Sequence, residues 1–138
     1  MEDILINSTK EKVWSAFTDL TCWVNWNTVL RGVYSKEKSL TKGESLSCTL
    51  RPFFFPVEVE LLIEEIVPYE RIIWVARKEG LKARHEFFFE DNDSGVHVIS
   101  RETFTGFLSK WSGLLLPVKR MKTLTEVFLS DLKKAAER

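Results

Sequence analysis

The sequence predicts an α+β domain in which a curved antiparallel sheet of about seven strands wraps around one long C-terminal helix. Three observations carry this expectation. In FFPVEVELLIEEIV, residues 54–67, the apolar Phe55, Val57, Val59, Leu61 and Ile63 fall on one parity, while Glu58, Glu60 and Glu64 fall on the other. That is the period-two mark of a strand with one buried and one wet face. The same habit recurs in shorter segments at 28–35, 45–51, 71–77, 81–90 and 96–105. After Gly106 the period becomes helical: Trp111, Leu114 or Leu115, Val118, Met121, Leu124 or Thr125, Phe128, Leu132 and Ala135 trace one stripe over about seven turns.

Taken in order, DILIN at residues 3–7 reads as a short opening strand. Ser8 stands three residues before Glu11, a capping-box spacing that predicts a helix with Val13, Trp14, Phe17 and Leu20 on its buried face. Asp19 to Trp26 continues as a second short helix or turn. The breaks between the later strands carry turn chemistry: Lys42-Gly43, Pro68-Tyr69, Glu79-Gly80 and the run Asp91 to Gly95. Connections of hairpin length make consecutive strands pair as a meander. Pro117 either opens the last helix or kinks it, because it removes an amide and crowds the preceding turn. A sheet with one apolar face and a single long amphipathic helix can bury both only if the sheet curls around the helix. Residues 1–138 read as one such domain, with no linker or repeat.

Composition excludes several classes of function. Lys plus Arg and Asp plus Glu each number 20 of the 138 residues, so the net charge is zero and no nucleic-acid partner is expected. The longest basic run, Val118 to Lys122, lies on the solvated face of the helical pattern. Cys22 and Cys48 form neither a disulfide framework nor a metal-ligand spacing, and two histidines without close His or Cys companions make no zinc site. No dinucleotide fingerprint, phosphate loop or nucleophile elbow is present, so no cofactor is expected. Met1-Glu2-Asp3 opens no signal peptide, and no apolar run approaches the roughly 18 residues of a membrane span. A cytoplasmic protein with reduced thiols is the expectation.

Two polar residues fall on apolar parities. His85 alternates in phase with Phe87 and Phe89, and Glu102 with Val98 and Phe104. If the Asp91–Gly95 turn closes their hairpin and Phe89 pairs with Val98, His85 stands opposite Glu102, with β-carbons about 5 Å apart. Such a pair can satisfy itself and fix register, can orient a ligand, or can act as acid and base. On the same reasoning Leu46, Cys48 and Leu50 share a face, as do Val59, Leu61 and Ile63. In the next strand either Ile72, Trp74 and Ala76 or Ile73 and Val75 face inward. From the last helix Leu114, Val118, Met121 and Thr125 overlook the same space. Phe53-Phe54-Phe55, between two prolines, reads as a rim over a cavity mouth or as a homodimer contact.

These residues bear a likeness to a known group. KEKVW after the opening strand, then TDLTCWVNWN, YERIIW and ARHEFFFEDNDSGVHVISRETFTG keep order and spacing over the whole length. In this the chain resembles the START-related, polyketide cyclase and lipid-transport superfamily (SRPBCC), whose fold is the helix grip. Its opening strand, starting almost at Met1, is shorter than usual in that group, which weakens one sheet edge. The resemblance implies that Trp23 and Trp26 close one end of the grip, part core and part cavity lid, and it favours Trp74 as the inward residue of its strand. The ligand contacts expected are then Trp23, Trp26, Leu46, Cys48, Val59 and Leu61 on one side. Trp74, Phe87, Phe104, Leu114, Val118 and Met121 complete the set. The implied function is binding of a small apolar or aromatic molecule, lipid- or polyketide-like. The alternatives are a cyclase or dehydratase using Glu102 and His85 as acid and base, and a cochaperone-like interaction module with a closed cavity.

Overall fold

A computed structural model describes residues 1–51, 56–78, 81–106 and 118–138, with the side chains of Leu81, Gly106 and Val118 left out of the description. The order is β1 (Glu2–Ile6), α1 (Lys10–Thr18), a single 3-10 turn (Leu20–Cys22), α2 (Trp23–Trp26) and β2 (Arg31–Ser35). Then follow β3 (Ser45–Leu50), β4 (Val57–Val67), β5 (Arg71–Lys78), β6 (Leu81–Asn92), β7 (Gly95–Gly106) and α3 (Val118–Ala136). The seven strands form one antiparallel sheet in the order β1-β7-β6-β5-β4-β3-β2. β2 to β7 are a meander, and β1 closes the far edge against the last strand. One face of this sheet packs on α1 and α3, the α+β helix-grip arrangement expected from the sequence.

The opening strand is fully paired despite its length, with a register running from Glu2 opposite Ser100 to Ile6 opposite Val96. The far end of α3 holds it there. Lys133 Nζ donates to the Leu5 carbonyl at 2.9 Å, and the Asn7 amide donates to Glu137 at 2.8 Å. The expected weakness of this edge is therefore corrected by contacts 128 and 130 residues apart in the chain.

The helix after β1 is capped one residue later than the spacing predicts. The Ser8 amide donates to the Ile6 carbonyl in a tight turn, and Thr9, in extended conformation, accepts from the Lys12 amide. Ser8 is thus part of the turn, and Thr9 is the N-cap. α1 buries Val13 and Phe17, as expected, and Leu20 follows them into the core.

β4 buries Val57, Val59, Leu61 and Ile63 on its inner face, and a bulge between Ile63 and Glu65 shifts its pairing with β5. β5 places Ile72 and Trp74 in the core cluster, with Ala76 packed against it. Ile73 and Val75 point to the outer face yet are buried as well. The ion pairs Arg71–Glu65, Arg77–Glu60 and Arg84–Glu64 stand on that outer face, where their aliphatic stems can cover apolar neighbours. α3 turns Phe128, Leu129, Leu132 and Ala136 into the core. Its inner stripe therefore includes Leu129 and Ala136 as well, with the expected Ala135 partly buried against the same core. Trp111, Leu114, Leu115, Pro117, the Glu79-Gly80 turn and Phe53–Phe55 lie outside the described residues.

Candidate functional site

The two tryptophans of CWVNWN belong to an aromatic core. Trp23 Nε1 donates at 2.9 Å to the Phe17 carbonyl, one of the last carbonyls of α1 and without an intrahelical partner. Its ring meets Trp26, Trp74 and Phe128 edge-on, with centroids 6.1–6.3 Å apart. Asn27, fully buried, accepts the Val29 and Leu30 amides and so turns the chain sharply after α2. That turn carries Val29 and Leu30 over the inner face of the sheet.

Beside this cluster, between the sheet and α3, lies a cavity of about 70 Å³. Its origin is visible in the register. Ala76 of β5 pairs with Ala83 of β6, while the neighbouring inward pair is Trp74 with His85. Two methyl groups stand where large side chains fill the adjacent row, and the space they leave stays open. Leu61, Trp74, Phe87 and Phe128 form the apolar end, Met121 and Leu124 of α3 cover it, and Val29 and Leu30 close one side.

One end of the cavity is polar. His85 and Glu102 pair directly across β6 and β7, with Nδ1 and Oε2 3.4 Å apart. The other imidazole nitrogen, Nε2, shares a short hydrogen bond with Ser100, itself almost fully buried. The imidazole stacks on Phe87 at 4.1 Å and meets Trp74 edge-on. Burial holds His85 neutral, with its pKa lowered to about 3. Burial, with Glu2 nearby, raises the Glu102 carboxyl to about 7. Both shifts favour the uncharged forms, so this is a close polar contact rather than a fixed ion pair.

Of the residues expected to contact a ligand, Leu61, Trp74, Phe87 and Met121 line this cavity, together with His85 and Glu102. Trp23, Trp26, Leu46, Cys48 and Val59 are buried in the core outside its lining. Phe104 is half-buried and also outside it. Leu114 and the side chain of Val118 are outside the described residues. The Cys48 thiol is pushed up to about 12 by burial and by Glu58, which leaves it unreactive. Sequence reasoning overlooked Ser100 and Ala83, although parity marks both: Ser100 is in phase with Glu102, and Ala83 with His85. Among the described residues no three His, Cys, Asp or Glu side chains are placed to hold a metal ion, and no helix is long and apolar enough to cross a membrane.

No protein-family model matches the sequence, and neither does any curated protein. Solved structures do match the fold. The KanY protein superposes with a TM-score of 0.77 at 16% identity, covering 99% of this chain and 95% of its own. An AHSA1-like protein from Aeromonas hydrophila gives 0.67 at 16% identity, covering 99% and 90%. DynU16, of the dynemicin biosynthetic locus, gives 0.75 at 12% identity, covering 99% of this chain and 46% of that one. The chain therefore shares the fold of these structures, the helix grip expected from its sequence. At such identities the likeness is one of fold, and function has to be argued from the site.

Proposed function

We propose that this protein binds a small apolar or aromatic molecule, lipid- or polyketide-like in character, in the cavity between the sheet and α3. The observation that carries the reading is the open space over Ala76 and Ala83, walled by apolar side chains and provided with one polar end. At about 70 Å³ the cavity is less than half the roughly 150 Å³ of an engineered void that admits benzene. A guest therefore enters ring-first, with side chains yielding. Met121, half-buried and unbranched, is the wall residue best able to move. Hiding roughly 200 Å² of apolar surface is worth about 5 kcal/mol before the costs of association, which by itself supports binding in about the millimolar range, and the polar end has to supply anything tighter. The free thiols of Cys22 and Cys48 suit a cytoplasmic setting, where they stay reduced. Native mass spectrometry of the protein purified from its own cells tests the proposal: a small molecule that travels with the chain and is released on denaturation supports it. Bare protein, together with no uptake of added aromatic molecules, contradicts it.

One observation favours a second reading, an acid–base enzyme of the cyclase or dehydratase type. A carboxyl raised to about 7 beside a neutral imidazole is suited to proton transfer near neutrality. Glu102→Gln separates the two: turnover of an enzyme nearly disappears, whereas a carrier loses only affinity.

A further inference from the structure

We propose that the ligand is an uncharged molecule bearing a hydroxyl group, phenolic or alcoholic, which docks against Glu102, and that carboxylate-bearing ligands of the same shape are rejected. The inference rests on the small-molecule reading above and deepens it by naming a chemical class.

Glu102 is the unfinished part of the polar end. Its side chain is only 17% exposed, yet among the described residues it makes no hydrogen bond. Its nearest polar neighbour is His85 Nδ1 at 3.4 Å, and His85 Nε2 is already engaged by Ser100. Thr125, the other polar residue of the lining, spends its hydroxyl proton on the Met121 carbonyl. A carboxyl this far covered, with no described protein group completing its hydrogen bonds, is free to take a partner inside the cavity.

The surrounding charges decide which partner. Glu2 of β1 pairs in register with Ser100 and faces the same side of the sheet as Ile4 and Ile6. Two carboxyl groups therefore approach one corner. The cations near them among the described residues, the Met1 ammonium at 3.7 Å and that of Lys122 of α3 at 4.0 Å, are both largely exposed and both pair with Glu2. No Lys or Arg lines the cavity among the described residues. An anionic head group would be desolvated there against like charge, which is costly without a cation to receive it. An ammonium group would also have to leave water, to meet a carboxyl that burial keeps partly protonated. A hydroxyl costs least to bury, and it can donate to the ionised carboxyl or accept from the acid form, so it fits either state of Glu102.

The test is a titration of the full chain at neutral pH with benzene, phenol, benzoate and benzylamine, followed by nuclear magnetic resonance. The expected result is phenol binding about tenfold or more tightly than benzoate and more tightly than benzylamine, with benzene weaker than phenol. Glu102→Gln should cut phenol affinity several-fold, and by clearly more than it changes that for benzene. Benzoate or benzylamine binding as tightly as phenol overturns the hydroxyl assignment, while benzene binding shows that the cavity reading still stands. Failure of all four probes overturns the cavity reading and this inference with it. The wild-type rank order decides the matter even if the variant does not fold.

Discussion

Asp131 holds Thr28 by two hydrogen bonds: its Oδ2 accepts the Thr28 amide at 2.9 Å and the Thr28 hydroxyl at 2.7 Å. Thr28 leads directly into Val29 and Leu30, so one carboxylate on α3 fixes the loop that closes a side of the cavity. Asp131→Ala should cost about 1–2 kcal/mol, at the low end for hydrogen bonds to a charged acceptor because both bonds are exposed to water. Asp131→Asn, which keeps one acceptor, should cost less. A lowered urea midpoint at unchanged slope checks this, and an unaltered midpoint in the Ala variant contradicts it.

The polar pair predicts two opposing pH dependences. The folded protein holds the Glu102 proton more tightly than the unfolded chain, whose carboxyl titrates near the usual 4.5. Its contribution to stability is therefore full at low pH and is lost as pH rises from about 4.5 through about 7. His85 behaves oppositely. Its folded-state pKa is depressed to about 3 from 6.5, so its contribution is full above 6.5 and is lost as pH falls toward 3. Between 4.5 and 6.5 the two slopes largely cancel. Glu102→Gln removes one of them, so its stability relative to wild type should rise with pH across that window, by at most about 1.4 kcal/mol per pH unit. Denaturation at several pH values reads this directly, and parallel curves for the two proteins would contradict it.

Gly95 should tolerate no side chain. It opens β7 with a φ of +145°, and a β-carbon there would stand 2.0 Å from the Ile6 carbonyl oxygen. Both the backbone angle and the contact with the end of β1 forbid it, so Gly95→Ala should destabilise by more than about 2 kcal/mol. Ser94→Ala, in the same turn, is the control and should change little.

The capping assignment separates two adjacent residues. Thr9→Ala removes the acceptor for the Lys12 amide and should cost about 1 kcal/mol. Ser8→Ala removes nothing that α1 uses and should be close to neutral. Equal effects would contradict the assignment.

The β6–β7 register was legible in the sequence because a short run of turn residues, of which only Asp93 and Ser94 lie outside the strands, joins two alternating segments, and His85 does stand opposite Glu102. The inward residues of β5 were not, because Ile73 and Val75 are as apolar as Ile72 and Trp74. Only the ion pairs on the outer face, formed between separate strands, show why that side can be apolar too. The start of α1 was off by one because Ser8 and Thr9 are both good caps, and the choice is made by the turn out of β1. The cavity itself was the least legible feature. It depends on Ala76 meeting Ala83, a coincidence of two small residues in different strands that no single segment reveals.

The central claim, that this space takes up a guest, is tested most directly by the methionine methyl groups. The chain has two methionines: Met121 covers the cavity, and Met1 is 80% exposed. With both labelled by carbon-13, titration with phenol should move the Met121 resonance to a plateau, leave Met1 in place, and have no such effect in Ala83→Leu, which fills the floor. A Met121 signal that stays fixed, or that moves equally in the filled variant, would contradict the account.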